Sequence, residues 1–74
     1  MNSYEAMAVR EVNANESWID STSEQFSLTR AESLAALGTL IERKIAKIDL
    51  ICGKVILKDG RFWNREVLLR CALA

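Results

Sequence analysis

The tightest constraint on this chain is a helix start near its middle. Thr29 is followed three residues later by Glu32, the reciprocal capping spacing in which two orphan backbone N–H groups are satisfied by side chains. Leu28 precedes the cap, where a hydrophobic staple onto Ser33 or Leu34 would begin. Beyond it Leu34, Leu37, Ile41, Ile45 and Ile48 recur at spacings of 3, 4, 4 and 3. That is one apolar stripe along a helix, and Leu40 widens it. Gly38 interrupts the run. A glycine inside a helix costs roughly 1 kcal/mol against alanine, and Thr39 after it suits an N-cap. Residues 29–48 therefore read as one helix with a weak point, or as a helix pair split at Gly38-Thr39.

The segments around this helix are short. Residues 1–12 fit either a short helix, with Val9 and Val12 on one face, or an edge strand. Residues 13–17 are Asn- and Ser-rich and read as a turn, because those side chains bond their own backbone. Trp18-Ile19 is an apolar anchor, residues 20–24 a polar linker, and Phe26 and Leu28 alternate with Ser27 and Thr29 as a brief extended stretch. Downstream, Lys54–Lys58 and Arg61–Trp63 flank Asp59-Gly60, a strong two-residue hairpin signal. In that register Lys58 faces Arg61, Leu57 faces Phe62 and Ile56 faces Trp63. Asn64 caps a last helix from Arg65 to about Ala72, with Val67, Leu68 and Cys71 inward. The apolar tail Leu73-Ala74 is expected to dock. With no proline and no repeats, the pattern predicts an α+β fold: an amphipathic helix or helix pair on a small antiparallel sheet, with a C-terminal hairpin and a short terminal helix.

Seventy-four residues hold one core, so the expected organisation is a single domain, 1–74. Within it, 1–26 is an acidic N-terminal segment and 27–74 a helix–hairpin–helix core. A chain this short buries only about 60% of its unfolded surface, and such folds often lean on disulfides, metals or partners. Cys52 and Cys71 are the only cysteines and no secretory signal is evident. A cytoplasmic setting with both thiols free is therefore expected. No stretch is long and apolar enough for a membrane span. Self-association, as a homodimer, is the remaining staple.

Catalytic chemistry is poorly supplied. The chain has no histidine, the usual acid–base residue near neutral pH, and neither cysteine has an activating base nearby in sequence. The carboxylates are scattered, and Gly53 and Gly60 lack phosphate-loop spacing. The expectation is a binding protein, not an enzyme, with no metal or other cofactor.

Charge locates the binding. The formal net charge is zero, yet residues 1–35 carry two basic and six acidic side chains, and residues 36–74 eight basic and four acidic. Arg43, Lys44 and Lys47 lie off the apolar stripe, and Lys58 and Arg61 would face each other across the hairpin. Like charges in that position repel mildly, and a phosphate backbone would neutralise them. These five are the candidate nucleic-acid contacts. Glu11, Glu16, Asp20, Glu24 and Trp63 form an alternative, protein-binding surface.

The order helix, basic helix, hairpin wing, closing helix resembles the small winged-helix proteins of the phage excisionase family, the recombination directionality factors. The resemblance covers residues 27–72 and is carried by Leu28-Thr29 with Glu32, Leu37-Gly38, the basic segment after it, and Asp59-Gly60-Arg61. It implies a phage or mobile-element regulator that binds duplex DNA, with Arg43, Lys44 and Lys47 on a recognition helix and Lys58 and Arg61 on a wing. The rival reading is a small inhibitor, of the anti-CRISPR or anti-restriction type, that occupies the surface of a host protein complex.

Overall fold

A computed structural model describes residues 2–58 and 63–74. It contains three helices, α1 (Ser3–Phe26), α2 (Arg30–Glu42) and α3 (Arg65–Leu73), with strands β1 (Ala46–Asp49) and β2 (Lys54–Leu57) between α2 and α3. The expected α+β class is the class observed.

α1 replaces the anchor, turn and linker expected over residues 1–26. Asn2 caps it: its side chain accepts from the Glu5 N–H, and Glu5 in turn accepts from the Asn2 N–H. Neither glycine nor proline occurs before Gly38, so nothing forces a break. Asn and Ser are only modestly unfavourable in a helix, a preference that tertiary packing overrides. Here the packing comes from Ala14, Ile19 and Thr22, all buried. A 24-residue helix is about 36 Å long, and α1 sets the 40 Å long axis of the molecule. From Ser3 to Asn13 only Ala6 is even half-buried.

The expected extended stretch at Phe26–Thr29 is a tight reversal. Ser27 takes a left-handed conformation (φ 55°) and Leu28 N–H donates to the Ser23 carbonyl at 3.0 Å, a Schellman-type closure normally made with glycine. α2 then starts as read. Thr29 Oγ1 accepts from the Glu32 N–H at 3.0 Å, and Glu32 accepts from the Thr29 N–H at 2.9 Å.

α2 is one unbroken helix through Gly38, but it stops at Glu42, not Ile48. Lys44, also left-handed (φ 61°), closes it, with the Ile45 N–H donating to the Leu40 carbonyl at 2.9 Å. The helix is also rotated from the expected stripe. Ser33, Ala36, Leu37 and Leu40 are buried, while Leu34 is 60% exposed and Ile41 lies at the surface. Ile45 packs on the core from the turn, and Ile48 lies in β1.

β1 and β2 pair antiparallel, with Ala46 opposite Leu57, Lys47 opposite Ile56, Ile48 opposite Val55 and Asp49 opposite Lys54. The partner of β2 is thus the strand before it. Ile56 pairs with Lys47 and not with Trp63, which lies in no strand. Asp59-Gly60, with the Leu57–Phe62 and Lys58–Arg61 pairings, falls outside the described residues. Two features turn the hairpin. Asp49 Oδ1 accepts from the N–H groups of Ile51 and Cys52, and Gly53 adopts φ 68° with its N–H on the Asp49 carbonyl. Period-2 alternation sends Ala46, Ile48, Val55 and Leu57 to one face, and that face meets the helices.

α3 begins at Asn64, whose side chain accepts from the Val67 N–H at 2.9 Å, and buries Leu68 and Cys71 as expected, whereas Val67 is only half-buried and it is Leu69 and Ala72 that pack on the core. Leu73 does not dock; it is 86% exposed. The core joins Ile19, Leu28, Ala36, Leu37, Leu40, Ala46, Leu68 and Cys71, with Trp18, Phe26, Val55 and Trp63 packed around it. Fully burying Leu40 and Leu68 stabilises the fold by roughly 2–3 kcal/mol each. Ser33, also fully buried, is satisfied by a 2.7 Å hydroxyl–hydroxyl bond with Ser23.

Candidate anion-binding surface

The hairpin's second face is solvent-exposed and basic. Exposure alternates along Lys54–Lys58, so that Lys54, Ile56 and Lys58 point outward together. Lys47 stands opposite Ile56, and Asp49 opposite Lys54. The Lys58 N–H donates to the Ile45 carbonyl at 2.7 Å, which extends the ladder and sets Lys58 beside the α2–β1 turn. Arg43, the C-cap of α2, and Lys44 are exposed in that turn. Lys47, Lys54 and Lys58 therefore share the outer face with Ile56, and Arg43 and Lys44 are exposed in the turn that adjoins it.

Of the expected contacts, Lys47 lies in β1, Lys58 directly follows β2, and Arg43 and Lys44 lie in the turn before β1, so none of the four stands on a recognition helix. Arg61 lies outside the described residues. Lys54 was missed. Its signal was available in the sequence, since Gly53 starts a strand at Lys54, but pairing β2 forward to Trp63 hid its neighbour Asp49. Among the described residues, none of these five cations is in an ion pair. Asp49 is turned inward on its own loop. The N–H groups of Cys52 and then Ile51 hold its carboxylate below the ordinary value, with Lys47 a smaller influence.

The alternative acidic surface is partly occupied by its own chain. Glu16 and Asp20 both bind the Arg30 guanidinium, pinning α1 to the first turn of α2. Glu16 foremost pushes the Arg30 pKa further up. Glu11 and Glu24 are exposed, whereas Trp63 is half-buried against the core.

Cys52 is exposed in the β1–β2 loop, and Cys71 is buried in α3. Among the described residues no three His, Cys, Asp or Glu side chains gather as a metal site, and no helix is long and apolar enough to cross a membrane. No protein-family model, curated protein or solved structure matches the chain.

Proposed function

We propose that this chain is a non-catalytic binding protein whose basic hairpin contacts a polyanion, duplex DNA first among them. The observation that carries the reading is the convergence of Arg43, Lys44, Lys47, Lys54 and Lys58 on one exposed face and its adjoining turn. A two-stranded ribbon fits the major groove as well as a helix does. Lysines at its rim suit phosphates, which fix position rather than sequence. The reading keeps the DNA partner expected from the excisionase resemblance but not its docking mode. Gly38 lies inside α2, and the cations that a recognition helix would carry stand on a turn and strands.

The test is fluorescence anisotropy with a labelled duplex at 50 and 200 mM salt. Three phosphate contacts predict a loss of roughly 40-fold in affinity over that range. No binding at 50 mM would overturn the reading. A host-protein partner is the second reading. The exposed side chains of Tyr4, Met7, Val9 and Val12 on the outer half of α1 favour it, and an affinity pull-down with identification of a stoichiometric partner tests it.

A further inference from the structure

Among the described residues the sheet has two strands, so β2 is paired on one side and open on the other. The register decides which of its groups are open. The Lys58 N–H donates to the carbonyl of Ile45, which stands opposite it, and antiparallel bonds recur at every second pair. Lys54, Ile56 and Lys58 therefore turn their backbone groups toward β1. Val55 and Leu57 turn theirs to the free edge, where among the described residues neither has a backbone partner. An open row of N–H and C=O groups is a template for another strand.

α1 packs beside β2, and two cavities lie between them. One, of about 200 Å³, is bordered by Ala14, Ser17, Trp18 and Ser21 of α1 and by Lys54 and Val55. The other, of about 270 Å³, is bordered by Trp18, Gln25 and Phe26 of α1 and by Leu57 and Trp63. Val55 borders one cavity and Leu57 the other, so the two are about 6.7 Å apart along β2. That distance is also the repeat of side chains on one face of any strand laid against it.

We propose that β2 takes an added strand: an extended segment of a partner protein that lies between β2 and α1. In an antiparallel arrangement the segment residues opposite Val55 and Leu57 exchange N–H···O bonds with them. Both point their side chains to the helix side, one into each cavity, so the backbone supplies affinity and the cavities supply selection. The walls name the side chains. Trp18, Phe26 and Trp63 with Leu57 suit an aromatic ring. The smaller cavity has two serine hydroxyls and Lys54 at its border and no carboxylate, which suits an aspartate or glutamate. The segment therefore carries an acidic and an aromatic residue with one residue between them. Apart from Lys54 this surface shares no residue with the polyanion face, so the two readings stand or fall separately.

The probe is the heptapeptide Thr-Glu-Thr-Phe-Thr-Glu-Thr, which sets an acid two residues from the ring in either direction. Trp18 and Trp63 are the only tryptophans of the chain, and both border the aromatic cavity. Their emission reads occupancy, and hydrogen exchange by NMR follows the Val55 and Leu57 amides. The wild type is expected to give a saturable emission change with slowed exchange at both amides. The peptide Thr-Thr-Glu-Phe-Glu-Thr-Thr has the same composition but puts its acids on the face opposite the ring. It is expected to bind roughly tenfold more weakly, through loss of the charged contact. Ser21→Leu fills the smaller cavity from an exposed helix position where leucine is the better helix former, so the fold survives. It is expected to weaken the first peptide by a similar factor. No saturable response from the wild type up to about 1 mM peptide overturns the proposal. So does equal binding of the two peptides, undiminished binding by Ser21→Leu, or an emission change that leaves the Val55 and Leu57 amides exchanging as before.

Discussion

The Thr39 hydroxyl donates a 2.7 Å hydrogen bond to the Cys71 carbonyl, tying α2 to α3 across 32 residues of chain. With Arg65 reaching the Ser27 carbonyl at the other end, it sets the two helices side by side and parallel. Thr39→Val keeps the shape and removes the donor. Since a neutral hydrogen bond contributes about 1 kcal/mol net, urea unfolding should show a loss of that order. An unchanged midpoint would mean that water replaces the contact without cost.

Gly38-Thr39 reads as a helix stop because glycine is the usual residue for one, yet both real stops use other residues. Ser27 and Lys44 enter the left-handed region where glycine is expected, so the sequence marks the wrong place. Holding a side chain there costs roughly 1 kcal/mol. Ser27→Gly should therefore raise stability by about 0.5–1 kcal/mol, read from the urea midpoint. A decrease would show that the serine side chain does something in that turn beyond occupying it.

The same helix shows how far periodicity reaches. Leu34, Leu37 and Ile41 are spaced as one stripe, but Ser33, Ala36 and Leu40 offer an equally regular face. Small residues pack well only where helices approach closely, which a hydropathy pattern does not record. The caps at Thr29 and Asn64 were legible because their chemistry is local, and so were two of the three inward residues of α3, Leu68 and Cys71. The β1–β2 pairing was not, because Asp59-Gly60 outweighs the Asp49 turn as a signal. The basic surface was accordingly found in composition and misplaced in geometry. Leu37→Ala should cost about 2–4 kcal/mol and Leu34→Ala under about 1 kcal/mol, since Leu34 is 60% exposed. Equal losses would restore the original stripe.

Acid should weaken the fold through two carboxylates. Glu32 is held below its ordinary value of 4.5, chiefly by the Thr29 N–H, and Asp49 below 3.8, chiefly by the Cys52 N–H. A depressed folded-state value means stability that is complete above the unfolded value and lost as pH falls through the folded one. The urea midpoint should be flat from pH 7 to about 5 on this account, then drop below 4.5 and further below 3.8. Glu32→Gln and Asp49→Asn keep an acceptor in each turn and remove the titration. Each should flatten its part of the fall, and a double variant as acid-sensitive as the wild type would assign the loss elsewhere.

The outer face of the hairpin predicts a graded salt response. If Lys47, Lys54 and Lys58 each neutralise one phosphate, the slope of log affinity against log salt is about −2.7 from these three alone, and each lysine removed takes away about 0.9. Lys47→Gln, Lys54→Gln and Lys58→Gln should therefore flatten the slope in equal steps and weaken all duplex sequences alike. Ile56 stands among them and opposite Lys47, where an apolar side chain reaches base edges rather than phosphates. Ile56→Ala should leave the slope unchanged while reducing the preference between duplexes. A slope indifferent to the lysines would transfer the binding to another surface.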